Sequence, residues 1–190
     1  MKLILASSSP RREEILRNAG YEFEVIPSRV DENLPEPLPP EETVTRLAVL
    51  KAGEIFSQYP DAVVLGADTV VSVGGKILGK PKDEQDAAGM LEKLSGRTHE
   101  VFSGVALMAD GRRESFAEKS QVCFYPLGQE LIKRYTATGE PLDKAGAYGI
   151  QGFGSLLVRE ITGDYYNVMG LPVARLGRAL ENFGITPLWR

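Results

Sequence analysis

Leu3-Ile4-Leu5-Ala6-Ser7-Ser8-Ser9-Pro10-Arg11-Arg12 is the stretch from which the fold is read. The apolar run Leu3 to Ala6 predicts a short buried strand, the serines a turn, and Pro10 the first residue of a helix. That helix is expected over residues 10–19 and ends at Gly20, a residue suited to the position just past a helix C-terminus. A strand that feeds a tight turn into a helix gathers unpaired backbone N–H groups and a positive dipole end at one spot.

Ser9 is a natural N-cap, but the first turn then carries Arg11 and Arg12, where a helix start favours Asp or Glu. Arg12 also holds the position at which a capping box would place Glu or Gln. Two readings stay open. Either an anion sits on the turn, held by backbone N–H groups, serine hydroxyls and guanidinium forks, or an ordinary capped helix presents two solvated arginines. No GxxxxGK[ST] loop is present.

Outward from this unit the pattern alternates. Tyr21 to Ile26 predicts a second strand, and the four prolines within 33–40 a stiff loop. A helix follows over 41–58, with Val44, Leu47, Ala48 and Ile55 on one face. Residues 62–73 form a long apolar strand broken by Asp68, turning at Gly74-Gly75 into Lys76-Ile77-Leu78. A helix over 83–94 stops near Gly96, and two strands between 100 and 125 join at Asp110-Gly111. A helix over 127–136, a glycine-rich segment 139–154, a strand over 155–161 and a closing helix over 172–183 complete the chain. An α/β protein results, with a mixed, elongated sheet flanked by helices and two lobes around a cleft. One domain over residues 1–190 is expected.

Composition excludes several classes. With 22 Lys and Arg against 26 Asp and Glu, the net charge of -4 argues against a nucleic-acid polymer as partner, yet leaves room for a mononucleotide. One cysteine, Cys123, excludes an internal disulfide and is expected to act as a buried small hydrophobe. One histidine, His99, excludes a zinc site of several His or Cys ligands and is read as structural. Any metal would be a hard cation such as Mg2+ or Mn2+. No window has the length of a membrane span, so a cytoplasmic protein without membrane partners is expected.

Four further positions carry open alternatives. Lys51 falls on the apolar face of its helix, where it either snorkels to the surface or reaches into a cleft. Asp68 interrupts an apolar strand, and a buried carboxylate needs a partner. It is a general base or metal ligand, or else it lies at a strand irregularity beside Gly66 or pairs with a structural arginine. Asp31-Glu32 precedes the proline loop and by itself reads as solvated. Lys80, in Gly79-Lys80-Pro81, could reach a ligand or point to water.

Taken together, these segments resemble the Maf family of nucleotide pyrophosphatases. The resemblance runs through the opening stretch, Gly66-Ala67-Asp68-Thr69-Val70-Val71, Gly79-Lys80-Pro81 and Leu94-Ser95-Gly96-Arg97-Thr98-His99. It continues through Asp143-Lys144-Ala145-Gly146-Ala147-Tyr148-Gly149-Ile150-Gln151-Gly152 and Gly163-Asp164-Tyr165-Tyr166-Asn167-Val168-Met169-Gly170-Leu171-Pro172. It implies a fold like that of inosine triphosphate pyrophosphatases, usually dimeric. The implied activity is hydrolysis of a nucleoside triphosphate to monophosphate and pyrophosphate with a divalent metal. The form of the glycine-rich segment is similar to that of the branch acting on dTTP and UTP. Carried over residue by residue, the family's catalytic acid falls on Asp68 and its specificity positions on Arg11, Thr69 and Gln151. Further site groups fall on Arg12, Glu32, Lys51 and Lys80, with Ser9 in the anion turn; Glu32 and Asp68 would hold the metal, or Asp68 would take the water's proton. A non-catalytic nucleotide sensor linked to cell division is the competing expectation.

Overall fold

The computed structural model describes residues 1–189; Arg190, the last residue of the expected domain, lies outside them. The strand–turn–helix unit is present as β1 (Leu3–Leu5) and α1 (Pro10–Asn18), with Gly20 in the left-handed region at φ +83° just past the helix. There follow β2 (Glu24–Val25), α2 (Pro40–Phe56), β3 (Val63–Val73), β4 (Lys76–Leu78) and α3 (Glu84–Leu94). The chain continues through β5 (Thr98–Ala109), β6 (Arg112–Phe124), α4 (Gln129–Thr136), β7 (Val158–Thr162), α5 (Tyr165–Met169) and α6 (Val173–Asn182).

The strands form a seven-stranded mixed sheet in the order β2-β1-β3-β5-β6-β7, with β4 on β3. β1 pairs parallel with β2 and β3, in register Leu5↔Leu65 on the β3 side. The glycine hairpin forms as expected: Gly74 and Gly75 both take positive φ, and Val71 pairs with Leu78. The predicted second strand shrinks to two residues at the sheet edge, because Tyr21 is buried with its amide bonded back to the Leu16 carbonyl of α1 rather than to β1. The predicted strand from Ser155 begins only at Val158, since 152–157 coil into a 3₁₀ turn. Cys123 is half-buried rather than buried, because alternation along β6 turns Val122 and Phe124 inward and Cys123 the other way.

Two compact units make up the chain. Among the described residues the first comprises 1–68, 103–118 and 170–189. Its core joins Ile4 and Val64 of the parallel strands to Ala48, Ala52 and Ile55 of α2 and to Ala106 and Met108. The second comprises residues 69–102 and 119–169, with a core of Val71, Leu91, Leu94, Phe124, Ile132 and Leu157. Among the described residues no helix is long and apolar enough to cross a membrane.

Candidate active site

In the first unit, glycine at position 66 sets how closely α2 approaches β3. A Cβ there would lie 2.2 Å from the Ala48 carbonyl oxygen and 2.7 Å from the Ala52 amide nitrogen. Gly104 does the same on β5, where a Cβ would come within 2.2 Å of the Val44 carbonyl oxygen. The helix therefore rests its backbone directly on the strands. Asp68, two residues beyond Gly66, shares the strand face on which α2 packs. Lys51, between Ala48 and Ala52, meets it there.

Lys51 and Asp68 are both buried, at 8% and 7% exposure, and Lys51 Nζ lies 2.7 Å from Asp68 Oδ1. The same ammonium lies 2.9 Å from Glu32 Oε1, although Glu32 remains mostly exposed on its loop. Of the two readings of Lys51, snorkelling fails. Asp68 sits within a continuous strand, not at a strand end, and pairs with this lysine, while its charge also acts on the buried Arg12. Glu32 is no freely solvated loop residue.

Glu54, one helical turn after Lys51, explains how the loop delivers Glu32. Its Oε2 accepts the Ser28 hydroxyl at 2.5 Å and the Arg29 amide at 2.7 Å. Those bonds hold the Glu54 carboxyl below its ordinary pKa, the Ser28 hydroxyl contributing most. Sequence reading missed Glu54, whose only signal was its position beside Lys51 on the helix.

The serine turn differs in detail from the reading of residue types. Ser9 stands at the N-cap with extended backbone, but its side chain makes no capping bond. Instead the Ser7 hydroxyl accepts the Ser9 amide at 3.2 Å. Arg12 is buried, not solvated. Its Nε donates to the Gly170 carbonyl at 2.8 Å, and its Nη1 to the Ala67 carbonyl at 2.9 Å and the Ser7 hydroxyl at 3.1 Å. Burial lowers the Arg12 pKa, opposed by the charge of Asp68 and then of Glu32. Arg12 thus ties the turn to β3 one residue before Asp68. Arg11 is half-buried at the same helix start.

The second unit carries Thr69, Lys80 and Gln151. Lys80 and Gln151 are exposed, and Thr69 is half-buried on β3. The Gly146 amide donates to the Gly79 carbonyl at 3.0 Å, which joins the Lys80 turn to the glycine-rich segment. Gly146 has φ +70°, and a Cβ there would meet Val71 side-chain atoms at 2.9 Å, so only glycine fits this junction. His99 is buried, with Nε2 2.8 Å from the Tyr148 hydroxyl and edge-on contacts to Phe124 and Tyr148. It is a packing residue, as its sequence position implied.

The polar cluster of the first unit thus lies at the carboxyl ends of β1 and of the paired part of β3, where open α/β sheets bind their ligands. Its serine–arginine turn and carboxylate–lysine centre gather charged groups at this end of the sheet of an α/β protein. The chain belongs to the Maf-like protein family, whose model matches residues 2–183. It is 53% identical over 98% of each chain to a dTTP/UTP pyrophosphatase of Bacillus pumilus. It is 51% identical over 97% of each chain to one of Bacillus velezensis. Among solved structures it resembles the Staphylococcus aureus Ham1 protein at a TM-score of 0.50 and 16% identity. That likeness covers 81% of this chain and 78% of the other, and it agrees with the expected α/β fold.

Proposed function

We propose that this protein hydrolyses dTTP and UTP to their monophosphates and pyrophosphate. The observation that carries the reading is the Glu32–Lys51–Asp68 cluster beside the serine–arginine helix start, in a chain half-identical to relatives of that name. A water oxygen bonds to the α-phosphorus, the bond from that phosphorus to the bridging oxygen of the β-phosphate breaks, and pyrophosphate leaves. Asp68, the more enclosed of the two carboxylates, takes the water's proton.

Two carboxylate oxygens that already converge on one cation are a donor set suited to a hard divalent ion. Asp68 and Glu32 would hold Mg2+ or Mn2+, with water and phosphate oxygens completing the shell. Among the described residues no third His, Cys, Asp or Glu joins them. When bound, the ion neutralises charge on the phosphate oxygens. Arg11 and the backbone N–H groups of the α1 start orient the phosphates, and Ser9 lies in the same turn. Arg12 holds that turn against β3 and adds its positive charge. Lys51 offsets the charge of Asp68 within the apolar surroundings of α2 and β3. To Lys80 we assign phosphate charge, and to Thr69 and Gln151 the choice of base. The Gln151 amide can both donate and accept, as the O4/N3 edge of thymine and uracil requires. The resemblance also supports a cytoplasmic location and a homodimer, the latter checked by sedimentation of the purified protein.

Hydrolysis of dTTP in 18O-labelled water tests the chemistry. The label is expected in the monophosphate. Label in pyrophosphate would place the attack on the β-phosphorus, and binding without turnover would make the protein a sensor.

A further inference from the structure

Gln151 is exposed, and nothing on its own side chain explains how its loop keeps one shape. The explanation lies in two residues that the family motifs quoted above do not include. Tyr135, buried near the end of α4, places its hydroxyl against the loop. That hydroxyl accepts the Gly149 amide at 3.1 Å and donates to Glu140 Oε1 at 3.0 Å. Glu140 then accepts the Phe153 amide on Oε2 at 2.9 Å and the Gly154 amide on Oε1 at 3.0 Å. A single polar chain therefore clamps the backbone on both sides of Gln151, two residues before it and two and three residues after it.

The loop is shaped to this clamp. Gly152 has φ +65°, and a Cβ there would lie 2.6 Å from Glu140 Oε2, so the carboxylate occupies the space a side chain would need. A Cβ on Gly154 would lie 2.2 Å from the Gly149 carbonyl oxygen and 2.7 Å from the Tyr135 hydroxyl. The segment thus folds back on itself across the tyrosine. Burial raises the Glu140 pKa, but the two amides and the Tyr135 hydroxyl outweigh it and leave the carboxyl below its ordinary value. It stays an acceptor for all three donors at neutral pH.

We propose that Tyr135 and Glu140 are specificity-positioning residues, holding the Gln151 loop in the one shape in which Gln151 meets a pyrimidine O4/N3 edge. This rests on the reading of Gln151 as the base-reading residue. A ring edge is discriminated only when donor and acceptor are held to within a fraction of an ångström, so a loosened loop loses selectivity before it loses chemistry. An apolar pair could fill the same space, but it would leave three backbone N–H groups without these acceptors.

The test compares Tyr135→Phe, Glu140→Gln and Gln151→Ala, each assayed for pyrophosphate release from dTTP and dCTP well below its melting temperature. For Tyr135→Phe and Glu140→Gln the dTTP:dCTP ratio of kcat/KM is expected to fall about tenfold or more, with the KM for dTTP rising more than kcat falls. Glu140→Gln keeps the side chain's size and one acceptor oxygen, so a lost ratio there reports positioning rather than a hole. An equal loss on both nucleotides would make the clamp merely structural and overturn the proposal. A shifted ratio in Gln151→Ala alone would also overturn it while leaving the base-reading role of Gln151 standing. An unshifted ratio in Gln151→Ala would remove that role, and the inference with it.

Discussion

Lys51 Nζ lies 2.7 Å from Asp68 Oδ1, a buried ion pair made where α2 presses onto β3 at Gly66. The pair links packing to chemistry, because the close approach that buries Lys51 and Asp68 also makes each charge depend on the other. Breaking such a pair from one side costs about 3–5 kcal/mol, since the remaining charge stays buried.

Asp68→Asn keeps the side chain's shape and removes its charge. Pyrophosphate release from dTTP is expected to fall by about 100-fold or more. Wild-type turnover by this variant would remove Asp68 from the chemistry.

Lys51→Met keeps length and apolar contact but strands Asp68 without its cation. At about 2–4 °C per kcal/mol for a chain of this size, the melting temperature should drop by roughly 6–20 °C. Differential scanning calorimetry checks it. A shift under about 2 °C would mean that the pair contributes little to the fold.

Gly66→Ala and Gly89→Ala separate glycines that are required from glycines that are tolerated. At Gly66 the new methyl collides with the α2 backbone, and overpacking should destabilise by about 1–3 kcal/mol or more. At Gly89, within α3, a Cβ meets nothing within 4 Å, and better helix propensity should stabilise by about 0.5–1 kcal/mol. Urea titration of both reads the two signs.

His99 sets a pH dependence of stability. Burial lowers its pKa from 6.5 to about 4, so the fold favours the neutral ring. The unfolded chain then binds more protons between these values, and stability must fall as pH drops from about 6.5 towards 4. The contribution is on the order of 3 kcal/mol, fully present above pH 6.5. Unfolding free energies at pH 7 and pH 4.5 should differ less in His99→Gln than in the wild type.

Much of this was legible in the sequence, for reasons local to each residue. Pro10 and Gly20 marked the ends of α1, and Gly74-Gly75 marked the hairpin, because each residue type suits a backbone shape that few others do. Lys51 was visible as a cation on an apolar face, but helical spacing could not say whether the ammonium turned out to water or in towards Asp68. Glu32 reaches Lys51 from a proline-rich loop without periodicity, so its pairing left no local signature. Arg12, read as a charge at a helix start, spends three hydrogen bonds on carbonyls and a hydroxyl that only the folded chain assembles. Glu140 was invisible for the same reason, since its partners are backbone amides 13 and 14 residues away.

Hydrolysis of dTTP and UTP is decided by the steady-state release of pyrophosphate from dTTP, UTP, dCTP, dATP and dGTP with Mg2+ or Mn2+. The highest kcat/KM is expected for dTTP and UTP, each yielding its monophosphate and pyrophosphate in equal amounts. Release of inorganic phosphate in place of pyrophosphate, or a purine nucleotide as the preferred substrate, would contradict it.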